Sequence, residues 1–269
     1  MRIIAGDFRS RKIYSPPDDQ TTRPIPDRVK ESLFSILRGR FENANVFDGF
    51  AGTGSIGLEC ASRGAARVVC VEKDRDMADL LRANVALLNC ADRVEVVCGD
   101  ALGPGALARS PRPLHLAFLD PPYPLMQDAN SCRRVLAQVA ALVQLLDPDG
   151  FLVLRTPWPL LHPDPTSVTT AAPEPEQRRR KPKRDDWKKR VRDEIDGRGP
   201  KRRTPVAPTE PGDADDPDGG DEGDETPQPG PQTADTQPVM LDVDLRIPGA
   251  KGPETHVYRQ MAVHLYMKA

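Results

Sequence analysis

Apolar and polar positions along the chain fall into stretches of strand-like and helix-like period. Residues 1–14 alternate over a short span and predict a strand or hairpin. Residues 15–27, rich in Pro, Asp and Thr, read as a loop ending with Asp27 at a helix N-cap. The stripe Val29, Leu33, Phe34, Ile36 and Leu37 then has helical spacing. From residue 44 strands and helices alternate. A short apolar rise over 45–47 ends at Asp48, and a glycine-rich turn leads to a helix over 56–63. Residues 67–72 form a buried strand, and Met77, Leu81, Val85 and Leu88 mark a helix face. Further strands are predicted at 94–98, 114–119 and 151–154, with a helix along Val135, Val139, Leu142 and Leu146 before the last of them. Such alternation predicts parallel βαβ units and a doubly wound α/β sheet. In these sheets ligands lie beyond the carboxyl ends of the strands.

The pattern stops after Thr156 and resumes with strand-like runs at 240–247 and 256–267. The intervening residues 163–238 hold 14 of the 29 prolines, and only Val168, Trp187, Val191, Ile195 and Val206 are large apolar residues there. Too little apolar surface is available to offset the entropy of ordering such a stretch, so it is expected to be disordered. Its charge is segregated, with 14 basic against 5 acidic residues over 177–203 and 9 acidic residues without a basic one over 210–225. The expected organisation is therefore an N-terminal hairpin, loop and helix (1–43), one domain built from 44–162 and 239–269, and a charged insertion (163–238).

No apolar run approaches the length of a membrane span, and the N-terminus lacks an apolar signal-peptide core. Five cysteines, Cys60, Cys70, Cys90, Cys98 and Cys132, show no CxxC spacing. A disulfide framework or zinc site is not expected, and a reduced, cytoplasmic setting is. Cys70 and Cys98 read as buried small hydrophobes, and His115 and His264 as packed or half-exposed rather than catalytic.

Two motifs carry chemistry. In Asp48-Gly49-Phe50-Ala51-Gly52-Thr53-Gly54-Ser55-Ile56-Gly57, three glycines satisfy G-x-G-x-x-G between a strand and a helix. They let the backbone turn tightly and approach a ligand. Glu72 closes the next strand, where a carboxylate accepts hydrogen bonds from both hydroxyls of a ribose. The motif fits NAD as well as S-adenosylmethionine. Asp100, after the third strand, is expected to face an adenine amine. The second motif, Asp120-Pro121-Pro122-Tyr123, follows the fourth strand. Its prolines remove two N–H donors, so carbonyls are expected to point outward beside the Asp120 carboxylate. Acceptors beside an aromatic ring suit a planar base with an exocyclic amine, and a dehydrogenase has no use for them.

On this scaffold Asp-Pro-Pro-Tyr resembles the amino-methyltransferases of adenine, cytosine or guanine. MRIIAGDFRSRKI, Thr22-Arg23-Pro24, the run from Asp27 to Phe34 and the stretch DGFAGTGSIGLE narrow the resemblance to the RsmD family, over about residues 1–156 and Val263–Tyr266. The insertion is absent from that family's pattern, and Ser10 stands where the family usually has glycine. The resemblance implies a Rossmann-like class I methyltransferase sheet with an N-terminal β-hairpin. It also implies S-adenosylmethionine as cofactor, no metal, a monomer, and transfer to the N2 amine of a guanine in 16S ribosomal RNA, free or in an assembling 30S subunit. Asp120, Pro121, Pro122 and Tyr123 are the expected catalytic residues. Asp48, Phe50, Gly52, Gly54, Glu72, Lys73, Asp100 and Ala101 are expected to bind the cofactor. Arg9, Arg11, Arg23 and Arg28, in an N-terminus with 9 basic and 5 acidic residues over its first 40, are candidate RNA contacts. A DNA adenine or cytosine amino-methyltransferase is the alternative, though it would be expected to carry a target-recognition domain. A non-catalytic nucleic-acid-binding protein would not need both motifs intact.

Overall fold

A computed structural model describes residues 1–15, 25–164 and 239–269. Arg23 and the expected disorder of the insertion between 165 and 238 lie outside the described residues. A seven-stranded sheet runs in the order β3 (Val94–Cys98), β2 (Arg67–Glu72), β1 (Asn45–Gly49), β4 (Leu114–Leu119), β5 (Leu146–Pro157), β9 (Met261–Lys268), β8 (Ala250–Tyr258). The first five are parallel to their neighbours, whereas β9 is antiparallel to β5 and β8 to β9. This is the Rossmann-like methyltransferase sheet, and its order reverses between β1 and β4, the point beyond which such sheets bind their ligands.

Side chains alternate strictly along the inner strands. Val46, Val68, Cys70, Leu116 and Phe118 enter one core. There α1 (Asp27–Ile36), α2 (Gly57–Ser62) and α3 (Arg75–Leu88) contribute Phe34, Leu58 and Leu81. Phe47, Val69, Val71, Ala117 and Leu119 enter the other, covered by Ala106 of α4 (Pro104–Arg109) and by Val135, Val139 and Leu142 of α6 (Ala129–Leu145). Burial on both faces explains why these strands read as continuous apolar runs. Asp74 caps α3 by accepting from the N–H groups of Asp76 (2.9 Å) and Met77 (3.1 Å), and Asp128 caps α6 by accepting from Ser131 (2.7 Å).

The N-terminal hairpin has an antiparallel bridge between Arg2 and Lys12, with Ile3 N–H donating to the Arg11 carbonyl at 3.0 Å and Ile13 N–H to that of Met1 at 3.1 Å. Side chains of the domain bond its backbone as well. Glu59 accepts from the N–H groups of Ile4 (2.8 Å) and Ala5 (3.0 Å), and Asn84 from that of Tyr14 (2.7 Å). Ser62 bonds Phe8 N–H and the Ala5 carbonyl. Glu59 is fully buried and is neutralised by Lys30 at 3.4 Å and Arg63 at 2.9 Å. Ser10 takes the left-handed conformation at φ 65°.

Four expectations need correction. Helix α1 starts at Asp27 itself, after Pro26, and Asp27 pairs with Arg2 instead of capping. The strand expected over 240–247 shrinks to β7 (Met240–Asp242), paired with β6 (Leu161–Pro163). The Asp244 carboxylate binds the backbone and guanidinium of Arg246, a local turn that competes with a ladder. The run over 256–267 is the end of β8, a turn at Arg259 (φ 51°) and β9. Cys98, at the end of edge strand β3, is exposed, whereas Cys70 is buried.

Candidate active site

The first motif follows β1. Asp48 is buried and accepts from Gly57 N–H at 2.9 Å. Burial pushes its carboxyl up to about 7, with the Gly57 hydrogen bond pulling the other way and the charges of Asp120 and Glu72 adding to the rise. Gly57 serves packing, since a Cβ there would sit 2.5 Å from Cys70 Sγ. The turn itself uses left-handed backbone at Phe50 (φ 63°), Gly52 (φ 55°) and Gly54 (φ 83°). A Cβ on Gly52 would meet no atom within 4 Å, so this backbone faces open space, whereas at Gly54 it would strike Leu81 at 2.1 Å.

Glu72 closes β2 and clasps that turn. Its carboxylate accepts from Gly52 N–H at 2.8 Å and from Asp74 N–H at 2.7 Å. The backbone carbonyl of Glu72 accepts from Gly99, bringing the end of β3 alongside. There Asp100 accepts from Leu102 N–H at 3.0 Å, and Lys73 and Arg134 approach it at 3.6 and 3.7 Å. Ala101 is buried, and its carbonyl holds Gln138 at 2.7 Å.

The second motif is tied to the first, because Asp120 N–H donates to the Gly49 carbonyl at 3.4 Å. Pro122 precedes the short helix α5 (Tyr123–Gln127), and its carbonyl accepts from Leu125 N–H at 2.9 Å. The Pro122 carbonyl is thus taken up by α5. Asp120 is ion-paired to Arg155 of β5, and the Arg155 guanidinium lies 5.7 Å from the Tyr123 ring centre. Burial raises the Asp120 carboxyl above its ordinary range, and Arg155 opposes that rise. Both line a pocket with Ile25, Leu33, Ile56, Phe118, Leu119, Val153 and Val263.

Backbone and side-chain bonds thus join Glu72 to the glycine turn and to the end of β3, Lys73 to Asp100, and Asp120 to the end of β1. The arginines are more dispersed. Arg9 and Arg28 are exposed. Arg11 is also exposed but bonds the Leu87 carbonyl at 2.5 Å, near the end of α3, and lies over Phe8. Sequence reasoning missed Arg155, although a cation closing the apolar run FLVLR was a visible signal.

The family described as Conserved hypothetical protein 95, which is the RsmD family, matches residues 1–169. The chain belongs to this family. The "Ribosomal RNA small subunit methyltransferase D" of Haemophilus influenzae is 33% identical over 176 residues, 63% of this chain and 91% of that protein. The protein of the same name from Escherichia coli strain K12 is 37% identical over 152 residues, 56% and 69% of the respective chains. Among solved structures, a putative methyltransferase from Escherichia coli superimposes with a TM-score of 0.56 at 21% identity, over 100% of this chain and 97% of that one. It shares the fold. Among the described residues no helix is long and apolar enough to cross a membrane, and no group of His, Cys, Asp and Glu has the geometry of a metal site.

Proposed function

We propose that this RsmD-family member is an S-adenosylmethionine-dependent methyltransferase acting on the exocyclic N2 amine of a guanine in small-subunit ribosomal RNA. The observation that carries the reading is Asp120-Pro121-Pro122-Tyr123 at the end of β4, hydrogen-bonded to the strand that feeds the glycine turn. The names of the relatives support the RNA and the subunit.

The residues present fit the cofactor. The open space above Gly52, beside a strand-end carboxylate, leaves room for a nucleoside against bare backbone. Glu72 would hold the ribose hydroxyls, Asp100 the adenine amine, and Asp48, Phe50, Gly52, Gly54, Lys73 and Ala101 would complete the cradle. When bound, S-adenosylmethionine supplies a methyl group on a positively charged sulfur. The protein's task is to prepare the amine, whose lone pair is delocalised into the base. Asp120 and the Pro121 carbonyl accept its two hydrogens and favour the pyramidal nitrogen that frees the lone pair. These bonds strengthen as positive charge grows on nitrogen, which stabilises the transition state. Tyr123 stacks on the base and sets its plane. The target base must be unpaired or turned out of its stack.

Tritium transfer from labelled S-adenosylmethionine to naked ribosomal RNA, DNA and 30S subunits tests the reading, followed by digestion to nucleosides. Label in N2-methylguanosine from small-subunit RNA is expected. Label in N6-methyladenine or N4-methylcytosine of DNA would instead establish the DNA amino-methyltransferase.

A further inference from the structure

We infer that Arg155 is the positioning residue of this site: it fixes Asp120 through one carboxylate oxygen, braces Tyr123, and leaves the second Asp120 oxygen for the target amine. The inference rests on the proposed methyl transfer for its chemistry, but its first test does not.

Arg155 is only 8% exposed, which is unusual for an arginine at a strand end. In the β4–β5 register Leu119 faces Leu154, so Asp120 and Arg155 are the next residues on neighbouring strands. Only Nε of Arg155 binds the protein among the described residues, and it donates to Oδ1 of Asp120. Among them Oδ2 is left without a protein donor, and the two terminal nitrogens of the guanidinium are left without a protein acceptor. The guanidinium also lies against the Tyr123 ring, so the expected stacking platform and the expected acceptor share one brace.

The surroundings say why a brace is needed. Around Asp120 and Arg155 the pocket presents Ile25, Leu33 and Ile56 from the N-terminal side and Val153 and Val263 from β5 and β9. Among the described residues Asp48 is close enough for its titration to feel both Asp120 and Glu72, and it adds no positive charge. Burial favours a neutral Asp120, and a neutral acid accepts an amine hydrogen poorly. Arg155 is the one cation that opposes burial there.

Titration of carboxyl-labelled aspartate by NMR, with the Asp120 signal assigned by its loss in Asp120→Asn, measures this directly in the full chain. Arg155→Gln is expected to raise the Asp120 midpoint by about one pH unit or more, and Arg155→Lys by less than half as much. If the amide is not tolerated, Arg155→Met, which keeps an apolar stem in the pocket, should give the same rise. In the methyl-transfer assay, Arg155→Gln should lower kcat at least tenfold with unchanged cofactor affinity. The acidic limb of its kcat profile should move up with Asp120, and Arg155→Lys should restore most of the rate. An Asp120 midpoint unmoved in both neutral variants overturns the inference, as does a loss of kcat that keeps the wild-type limb. A wild-type protein that methylates no RNA overturns the proposed function instead, and the titration still decides the role of Arg155.

Discussion

Two carboxylates close two neighbouring parts of the same sheet, and the protein holds them in opposite ways. Glu72, on the side of β2 and β3, is gripped by two backbone N–H groups, from Gly52 and Asp74. Asp120, on the side of β4 and β5, is held by a side chain. Backbone donors inside a packed turn cannot leave without unfolding it, so Glu72 is a fixed fixture, ready before any ligand arrives. A guanidinium on a flexible stem can yield one contact and keep another. The difference suits a site that recognises a constant cofactor on one side and must prepare a changing nitrogen on the other.

Asp120→Ala is the strongest way to break the comparison. It removes the acceptor whose hydrogen bonds tighten in the transition state, and transfer should fall by a factor on the order of a hundred to a thousand. Cofactor affinity should stay within a few fold, because Asp120 is not among the residues that clasp the glycine turn. Single-turnover transfer and calorimetry with S-adenosylmethionine check the two halves of this statement, and near-normal turnover would remove Asp120 from the chemistry.

Glu72→Ala should do the reverse. Each hydrogen bond to a charged acceptor is worth about 1.5–3 kcal/mol, so losing the ribose contacts should weaken cofactor binding at least tenfold. The same change frees the Gly52 and Asp74 N–H groups, so the turn should also lose protection from hydrogen exchange. Intact affinity would mean that the cofactor lies elsewhere.

The two sides were not equally legible in the sequence. Strand β1, the glycine turn and Glu72 at the end of β2 follow one another within 28 residues, and each declares itself by local period or residue type. Asp120 was found the same way, from a contiguous tetrapeptide. Its partner was not, because Arg155 lies 35 residues further on and meets it only through the register of β4 and β5. Glu59 is a similar case. It reads as the polar residue of a short helix, yet its carboxylate gathers backbone donors more than 50 residues upstream. The helices α4 and α5, with 6 and 5 residues, are too short to show a period. The run over 256–267 hid its turn because Arg259 adopts a positive φ without the glycine or asparagine that normally announces one.

A smaller effect separates the two sides by pH. His264 of β9 is fully buried between Thr156 and Thr255, which bond its two ring nitrogens at 2.9 Å each. Burial lowers its titration to about 4. Between pH 6.5 and 4 the unfolded chain therefore binds the extra proton, and stability falls as pH falls. Asp48 has the opposite sign. Its carboxyl is raised to about 7, so between the ordinary aspartate value and pH 7 the folded state binds more protons and stability falls as pH rises. Going from pH 7.5 to 5.5 should cost β5, β9 and β8 about 1 kcal/mol through His264, while the surroundings of Asp48 gain. Hydrogen exchange corrected for its intrinsic pH dependence should show protection lost first in those outer strands. His264→Gln should flatten that loss, and an equal response in β1 and β2 would refute the assignment.

The smallest effect is expected from the charged insertion, and it tests whether the side that carries Asp120 folds independently of it. The described chain leaves at Asp164 and returns at Val239, and Asp164 N–H donates to the Val239 carbonyl at 2.7 Å. Two residues already hydrogen-bonded across the β6–β7 ribbon can be joined by a short Gly-Ser linker at little cost in loop closure. The replaced residues carry too few large apolar side chains to contribute a core. Replacing 165–238 should therefore leave the melting temperature within about 2 °C and cofactor affinity unchanged. A protein that fails to fold would show that the insertion belongs to the domain. RNA affinity is the more discriminating readout, because the 14 basic residues over 177–203 can release counterions from phosphates, whereas the acidic run over 210–225 can compete for them. If the basic run contacts RNA, its removal should weaken binding and flatten the salt dependence; unchanged values would leave recognition to the folded domain alone.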